Sequence, residues 1–369
     1  MSVQSDLNNE QLTGQIRTII EKHYDLGPLT RIKEIFGGYC NRSYAVWMGA
    51  DRPKKYFMRE YNPHITEPEI RFEHALLNHL RSNGFEIASG VFACRDGATF
   101  VRTAVQGQKP TYWAIFDFLE GEDPYTWLET DLTDAEFASA AEVLARMHHA
   151  GRDFVKPAGT DRAQPCIAEF LPTFRETFGR YAQQADSRRC DRLFLENLAP
   201  VLAAVEGFTA ATASFTGMPQ VPVHCDYHPG NLKYKNEKGV GVFDFDWSKI
   251  DYRVFDLALG LVYFTSRWTG DAAGSLRLDK FELFLKTYND ACSWLEGLPP
   301  LTAQEQTHLP LMLAAGNLFV LNWDLMDFYE TESPDDDEYY TYIEHNVLLM
   351  HWITAHGAEI RKVVDRVCR

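Results

Sequence analysis

The chain has too little positive charge to hold a polyanion. Its 36 Lys and Arg stand against 52 Asp and Glu, a formal net charge of −16 over 369 residues. Nucleic acids and anionic membrane surfaces reward a basic face, so neither is expected as a partner. Paired cysteines are missing as well. Cys40, Cys94, Cys166, Cys190, Cys225, Cys292 and Cys368 are odd in number and scattered, with no CxxC pair. That is the pattern of reduced thiols in a cytoplasmic protein. Long hydrophobic runs are absent. The most apolar stretch, Leu309 to Trp323, contains Pro310, Gly316 and Asn317 and is too short to span a bilayer, so a buried helix is expected there. The N-terminal MSVQSDLNNEQLTG lacks the apolar centre of a signal peptide. No internal repeat is visible.

What is present is an ordinary globular composition, 45% hydrophobic and 24% charged. A chain of this length buries a large core without disulfides or structural metals. The acidic excess suits a cationic substrate, and equally a solvated surface that keeps the protein soluble.

Hydrophobic periodicity divides the chain. Leu12, Ile16, Ile19 and Ile20 predict a helix over residues 8–24, closed by Gly27 and Pro28. Strands are expected at Ile32 to Phe36, Ser43 to Met48 and Tyr56 to Tyr61, the first two joined by Gly37-Gly38-Tyr39-Cys40-Asn41. EIRFEHALLNHLRSNGF reads as a helix stopped at Gly84. Two further strands follow, at Ala98 to Val105 and Tyr112 to Phe118. From Glu120 the pattern becomes helical, over 133–150, 167–184 and 189–207. Short strands fill Val221 to Asp246, and helices resume at 255–268, 279–295, 303–330 and 338–367. The expected fold is therefore α+β and two-lobed. A small β-rich N-lobe spans residues 1–118, and a larger, mostly helical C-lobe spans 119–369. The run from Glu330 to Glu338 reads as an acidic exposed loop.

The chemistry concentrates in VHCDYHPGNLKY, Val223 to Tyr234, and VGVFDFDWS, Val240 to Ser248. Asp226 and Asn231 lie five apart in a turn-rich segment with Pro229 and Gly230. Gly239 marks a second turn, after which Val240, Val242 and Phe243 carry a strand up to Asp244. Such a hairpin would bring Asp244 back beside Asn231. A carboxylate and an amide oxygen are hard ligands suited to Mg²⁺, which keeps several waters and shares phosphate oxygens. The remaining carboxylate, Asp226, is then free to orient a hydroxyl and take its proton.

The spacing matches the kinase catalytic loop, His-x-Asp-x4-Asn followed by a metal-binding Asp, here His224, Asp226, Asn231 and Asp244. With HCDYHPGN, VFDFDW and the DLA of residues 256–258, the chain resembles the aminoglycoside phosphotransferase and choline kinase superfamily, which includes one type of homoserine kinase. Cys225 stands where that superfamily usually has Gly. The resemblance covers nearly the whole chain. GGYCNRSYAV, residues 37–46, is similar to the family's nucleotide loop and implies phosphate contacts from Gly37, Gly38 and Asn41. YFMREY, residues 56–61, is similar to the strand that holds the phosphate-binding Lys, but here the position is Arg59, which keeps the charge with different reach. Glu73 is the expected ion-pair partner of Arg59, with Glu69 the second choice. LARMHHA, residues 144–150, also looks like a family helix. The resemblance implies a protein-kinase-like fold using ATP and Mg²⁺. Asp226 would accept or orient the substrate hydroxyl, Asn231 and Asp244 would bind Mg²⁺, His224 would support the loop, and Asp256 would cap the next helix and tie the loop down.

Other readings compete. His224, Asp226 and His228 have the spacing of a transition-metal cluster in a hydrolase. Asp246 either assists the metal or sits in solvent. Trp268, Trp323, Tyr263 and Phe264 offer an aromatic box for an ammonium, although aromatics at helical spacing are more often core. Asp324 and Asp327 share a face of an otherwise apolar helix and are candidate contacts for a substrate amine. The implied function is ATP-dependent phosphoryl transfer to a small-molecule hydroxyl, on an amino alcohol, amino sugar, or homoserine- or choline-like acceptor. A protein kinase and a catalytically silent nucleotide-binding protein are the alternatives.

Overall fold

The computed structural model describes residues 4–5, 10–35, 41–104, 109–128 and 130–368. The chain forms two compact units. The first comprises Met1–Glu120 with Val155–Arg162 and Gly241–Asp246; the second comprises Gly121–Phe154, Ala163–Val240 and Trp247–Arg369. Two later stretches thus return to the first unit, which a single cut in the sequence does not describe.

In the first unit, α1 (Glu10–His23) turns Leu12, Ile16, Ile19 and Ile20 to one buried face. They meet Ile32, Val46, Met58 and Ile115 from the sheet in one apolar cluster. The sheet contains β1 (Gln4–Ser5), β2 (Leu29–Ile35), β3 (Arg42–Met48), β4 (Lys54–Glu60), β5 (Val101–Thr103) and β6 (Thr111–Asp117), in the order β1-β2-β3-β4-β6-β5. β1 runs parallel to β2 and the other pairs are antiparallel. The period of two places Met58 on the core face of β4 and Arg59 on the other. The helix α2 (Glu67–Ser82) starts at a capping box, with Glu69 Oε2 accepting from Thr66 N at 2.9 Å. The strand expected at Ala98 to Val105 shortens to β5, with Val105 outside the described residues.

The second unit opens with α3 (Asp134–Gly151), α4 (Ile167–Phe170), α5 (Phe174–Gln184) and α6 (Arg189–Ala211). The single helix expected over 167–184 is broken by a 3₁₀ turn at Leu171–Thr173, where Pro172 has no N–H to donate. Next come β7 (Gln220–Val223), β8 (Leu232–Lys235), β9 (Lys238–Val242) and β10 (Lys249–Tyr252). β10 pairs antiparallel with β7. β8 and β9 form a hairpin whose two turn residues, Asn236 (φ 51°) and Glu237 (φ 61°), both have positive φ, as a tight two-residue loop requires. The turn expected at Gly239 is therefore placed three residues earlier. Gly239 lies within β9 for a different reason: a Cβ there would come within 3.2 Å of Val143 Cγ2 on α3. The strand also stops at Val242, short of Asp244.

The remaining helices are α7 (Arg253–Thr265), α8 (Leu278–Trp294), α9 (Ala303–Glu330), α10 (Asp336–Ala355) and α11 (Gly357–Val367). The helix expected over 338–367 is divided at His356, whose ring stacks on Trp352 with centroids 4.3 Å apart. Every residue of α7 is buried. It packs on α9, where a Cβ on Gly316 would sit 3.2 Å from Leu259 Cα, so the two backbones meet almost directly. Among the described residues, two helical stretches are long and apolar enough to cross a membrane, Arg189–Phe215 and Ala303–Glu330. The Leu309–Trp323 stretch belongs to the second, a helix of 28 residues, so shortness does not explain it. Burial does: 72% of its apolar window lies inside the protein, as in a core helix.

Candidate active site

The loop between β7 and β8 carries His224, Asp226, His228 and Asn231. It is held from beneath by Asp256 on α7. Asp256 Oδ2 and Oδ1 accept from the backbone N–H of His224 and Cys225, each at 2.9 Å. His148 Nε2 of α3 lies 3.0 Å from Oδ2, and its Nδ1 lies 2.8 Å from the Tyr288 hydroxyl. Asp256 thus ties the loop down as expected. It does not cap α7, because Tyr252 is the residue that precedes the helix. His148 was unmarked in the sequence; its one signal is a place in LARMHHA. Cys225 has φ 62°, the left-handed conformation that explains a glycine preference at this position.

Burial pushes the Asp256 carboxyl up, but His148 and the loop N–H groups outweigh it and hold it below the ordinary carboxylate value. Its stabilisation is complete above the unfolded pKa near ~3.9 and is lost as the pH falls through the lower folded value. Asp256→Asn is expected to cost about 2–4 kcal/mol at neutral pH. Urea unfolding at several pH values should show the gap to the parent narrowing in acid below about 4. Equal stability of the two proteins at pH 7 contradicts this role.

Asp226 is partly exposed. Asn231 Nδ2 donates to its backbone oxygen at 2.8 Å and to Oδ2 at 3.0 Å. With the amide nitrogen so committed, Asn231 Oδ1 is the end that can face a cation. His228 Nδ1 accepts from Gly230 N at 3.1 Å, so Nε2 carries the hydrogen and lies 3.6 Å from Asp226 Oδ2. Burial pushes the Asp226 carboxyl up, and His228, His224 and Asn231 together bring it below its ordinary value. Among the described residues, no three His, Cys, Asp or Glu side chains form a metal-binding group, which removes the support for a His-x-Asp-x-His hydrolase cluster. Tyr263 on α7 is in hydrogen-bonding reach of Asp226 and in the field of Asp324. The sequence did not mark it as a neighbour of Asp226.

In the first unit, Arg59 is buried and forked between two carboxylates. Nη1 donates to Glu73 Oε1 at 3.0 Å and Nη2 to Asp244 Oδ1 at 2.9 Å. Glu73 also accepts from the Tyr61 hydroxyl at 2.7 Å, whereas Glu69 serves the capping box. Burial works against the Arg59 charge, and Asp244, Glu73 and Asp246 overcome it and raise its pKa. Asp244 has φ 69° and an ion pair with Arg59. Its loop is anchored by Val242 N, which donates to Ile87 O at 2.9 Å. Asp246 is buried and not solvated: its Oδ2 accepts from Asn41 Nδ2 at 2.7 Å. Asn41 Oδ1 accepts from Asn62 N at 2.9 Å, so both ends of that amide are occupied by protein. Gly37 and Gly38 lie outside the described residues.

On the acceptor side, Asp324 is buried in α9 and accepts from Asn346 Nδ2 of α10 at 2.7 Å. Asp327, one turn on, is exposed. The four aromatics considered for a box do not converge. Phe264 packs on Phe137, Tyr227 and Phe284, and Trp323 lies on Trp247 at 4.5 Å. Trp268 instead joins Trp127 at 4.9 Å, and Trp127 meets Tyr342 at 4.6 Å.

A small, mostly antiparallel sheet unit and a helical unit carrying an Asp–Asn loop define a protein-kinase-like fold. This is the class of small-molecule kinases, which transfer phosphate to a hydroxyl. The family profile described as "Phosphotransferase enzyme family" (APH) matches residues 31–294, and the chain belongs to that family. It is 26% identical over 328 residues to a homoserine kinase of Bradyrhizobium sp. (strain ORS 278), covering 89% of this chain and 88% of that protein. Among solved structures it resembles a microcompartment-associated aminopropanol kinase, with TM-score 0.65 and 17% identity over 94% of this chain and 98% of the other. It also resembles an amicoumacin kinase in complex with AMP-PNP, Ca²⁺ and Ami, with TM-score 0.65 and 15% identity, covering 98% and 94%.

Proposed function

We propose that this kinase transfers the γ-phosphate of ATP, with Mg²⁺, to the hydroxyl of a small ammonium-bearing alcohol. The observation that carries the transfer is the Asp226–Asn231 pair. One amide holds the Asp226 carboxylate through its nitrogen and keeps its oxygen for a cation. Asp226 orients the acceptor hydroxyl. Asn231 and Asp244 are the residues that would hold the Mg²⁺, whose oxygen-ligand chemistry neutralises charge on the transferred phosphoryl group. Arg59 meets phosphate oxygens while Glu73 orients it, Gly37 and Gly38 contribute backbone N–H groups, and Asn41 acts through Asp246. The amicoumacin kinase holding AMP-PNP and Ca²⁺ supports the use of a nucleotide and a divalent cation. Among the described residues six cysteines form no disulfide, which suits a cytoplasmic enzyme.

The acceptor class rests on Asp324. Burial holds its carboxyl well above the ordinary value, against the Asn346 hydrogen bond. An ammonium docking beside it drives off the proton and makes a charge-assisted contact, while Asp327 adds negative field from the next turn. Trp127, Trp268 and Tyr342 give apolar walls around the same α10 neighbourhood. Amino alcohols and homoserine both fit this chemistry, and relatives named for each are similar to the chain.

A coupled ADP-release screen over amino alcohols, homoserine, choline-like compounds, aminoglycosides and neutral polyols is expected to find its best acceptor among the cations. Generic protein substrates should give no turnover. Asp324→Asn should raise the acceptor KM about 10- to 150-fold and leave the ATP KM unchanged. In the parent, the acceptor KM should rise as the pH falls and Asp324 takes up its proton. A neutral best acceptor, or an unchanged KM in the variant, rejects the assignment.

A further inference from the structure

Between α3 and α4 the chain leaves the second unit and packs with the first over Val155–Arg162. This excursion is closed on itself. Thr160 Oγ1 donates to Pro157 O at 2.6 Å, Gly159 takes φ 75°, and Lys156 pairs with Asp161. Val155 is 84% exposed, so the turn does not exist to bury apolar surface. What it delivers is Arg162. Its guanidinium donates through Nη2 to the backbone oxygen of Asp246 and through Nη1 to that of Glu69, the latter at 3.3 Å. It also lies over the Phe72 ring at 5.8 Å. One side chain therefore ties the first turn of α2, which supplies Glu73, to the loop that carries Asp244 and Asp246. That loop has no strand to fix it, since β9 ends at Val242 and Asp244 has positive φ. The fork geometry of Arg suits two carbonyls held at once; a Lys ammonium would reach one or the other.

We propose that Arg162 is a positioning residue for the Asp244 carboxylate, acting as a clasp between the Asp246 carbonyl and the α2 N-terminal turn. The inference rests on the magnesium role proposed for Asp244. Losing a charge-assisted hydrogen bond corresponds to about a ten-fold change in an equilibrium. Arg162→Ala is expected to raise the Mg²⁺ concentration for half-maximal activity by about that factor. The acceptor KM should stay within two-fold of the parent, and added methylguanidinium should partly restore the parental Mg²⁺ curve. Arg162→Lys should shift the curve by an intermediate amount, and it keeps the test available if the Ala variant does not fold.

The measurements are Mg²⁺ titrations of activity at saturating ATP and acceptor on the full chain and, with no acceptor present, calorimetric nucleotide affinities at several Mg²⁺ concentrations, both with Asp244→Ala as the reference. If Asp244→Ala shifts the curve and the folded Arg162 variants do not, the clasp is wrong and the metal reading stands. A change in acceptor KM with no change in Mg²⁺ dependence also overturns it. If Asp244→Ala itself leaves the Mg²⁺ curve unmoved, the metal role falls, and the positioning inference with it.

Discussion

Asp226→Asn is expected to lower kcat by about 10²–10⁴-fold, with the nucleotide Kd within a few-fold of the parent. The substitution preserves shape. The Asn231 amide can still donate to the residue-226 backbone oxygen and to the new amide oxygen. It removes the charge proposed to face the acceptor hydroxyl. Asp226 is held below its ordinary pKa, so it is ionised throughout the neutral range and is a weak base. The contribution proposed for it is to orient the hydroxyl and to take the proton late, as a loose phosphoryl-transfer transition state allows. An acid limb in kcat that belongs to Asp226 should therefore lie below the usual carboxylate range. Nucleotide binding by isothermal titration and initial rates on the same preparation check both halves of the result. A variant that turns over within a few-fold of the parent removes Asp226 from the reaction.

Asp244→Ala is expected to be nearly as severe, by another route. It deletes the anionic oxygen proposed as a metal ligand, so the Mg²⁺ needed for half-maximal activity should rise well over ten-fold, and Mg-ATP affinity should fall with it. It also leaves the buried Arg59 with Glu73 as its remaining carboxylate partner. Asp244→Asn separates the two losses, because its amide oxygen can still accept from Arg59 while the ligand charge is gone. Magnesium titrations of both variants should show similar demands for metal. Thermal melts should show the Asn variant to be the more stable. An Asp244→Ala enzyme with the parental Mg²⁺ dependence excludes a metal role.

The elements that the sequence showed clearly were those with unbroken periodicity. Leu12, Ile16, Ile19 and Ile20 mark one helical face, and the helix expected over 303–330 forms as Ala303–Glu330. Positive φ was invisible. Alternation through Val242 and Phe243 suggests a continuing strand, while Asp244 takes a left-handed conformation that apolar patterning does not encode. The same limit moved the hairpin turn from Gly239 to Asn236 and Glu237, since a glycine signals a close approach as readily as a turn. Local spacing marked Asp226, Asn231 and Asp244 because their pattern is short. It did not mark His148 under the loop, Asn346 against Asp324, or Arg162 behind Asp246. Those partnerships, His148 with Asp256, Asn346 with Asp324 and Arg162 with Asp246, span 108, 22 and 84 residues along the chain, and only folding selects them from many equivalent polar residues.

The near-contact of Gly316 with Leu259 carries a consequence for substrate range. Helix α7 bears Asp256 and Tyr263, and α9 bears Asp324, so their spacing relates the loop of Asp226 to the carboxylate proposed for the acceptor amine. At the Gly316 crossing backbone meets backbone, so no rotamer change there can compress the spacing. The proposed acceptor end therefore behaves as a fixed gauge. Lengthening an acceptor by one methylene between hydroxyl and ammonium has to be absorbed by the small molecule's own torsions. Evolving the enzyme toward longer acceptors would, on this proposal, proceed by trimming the proposed wall residues Trp127, Trp268 and Tyr342, while any side chain at position 316 would press on Leu259 of α7 and alter the proposed gauge for every acceptor at once.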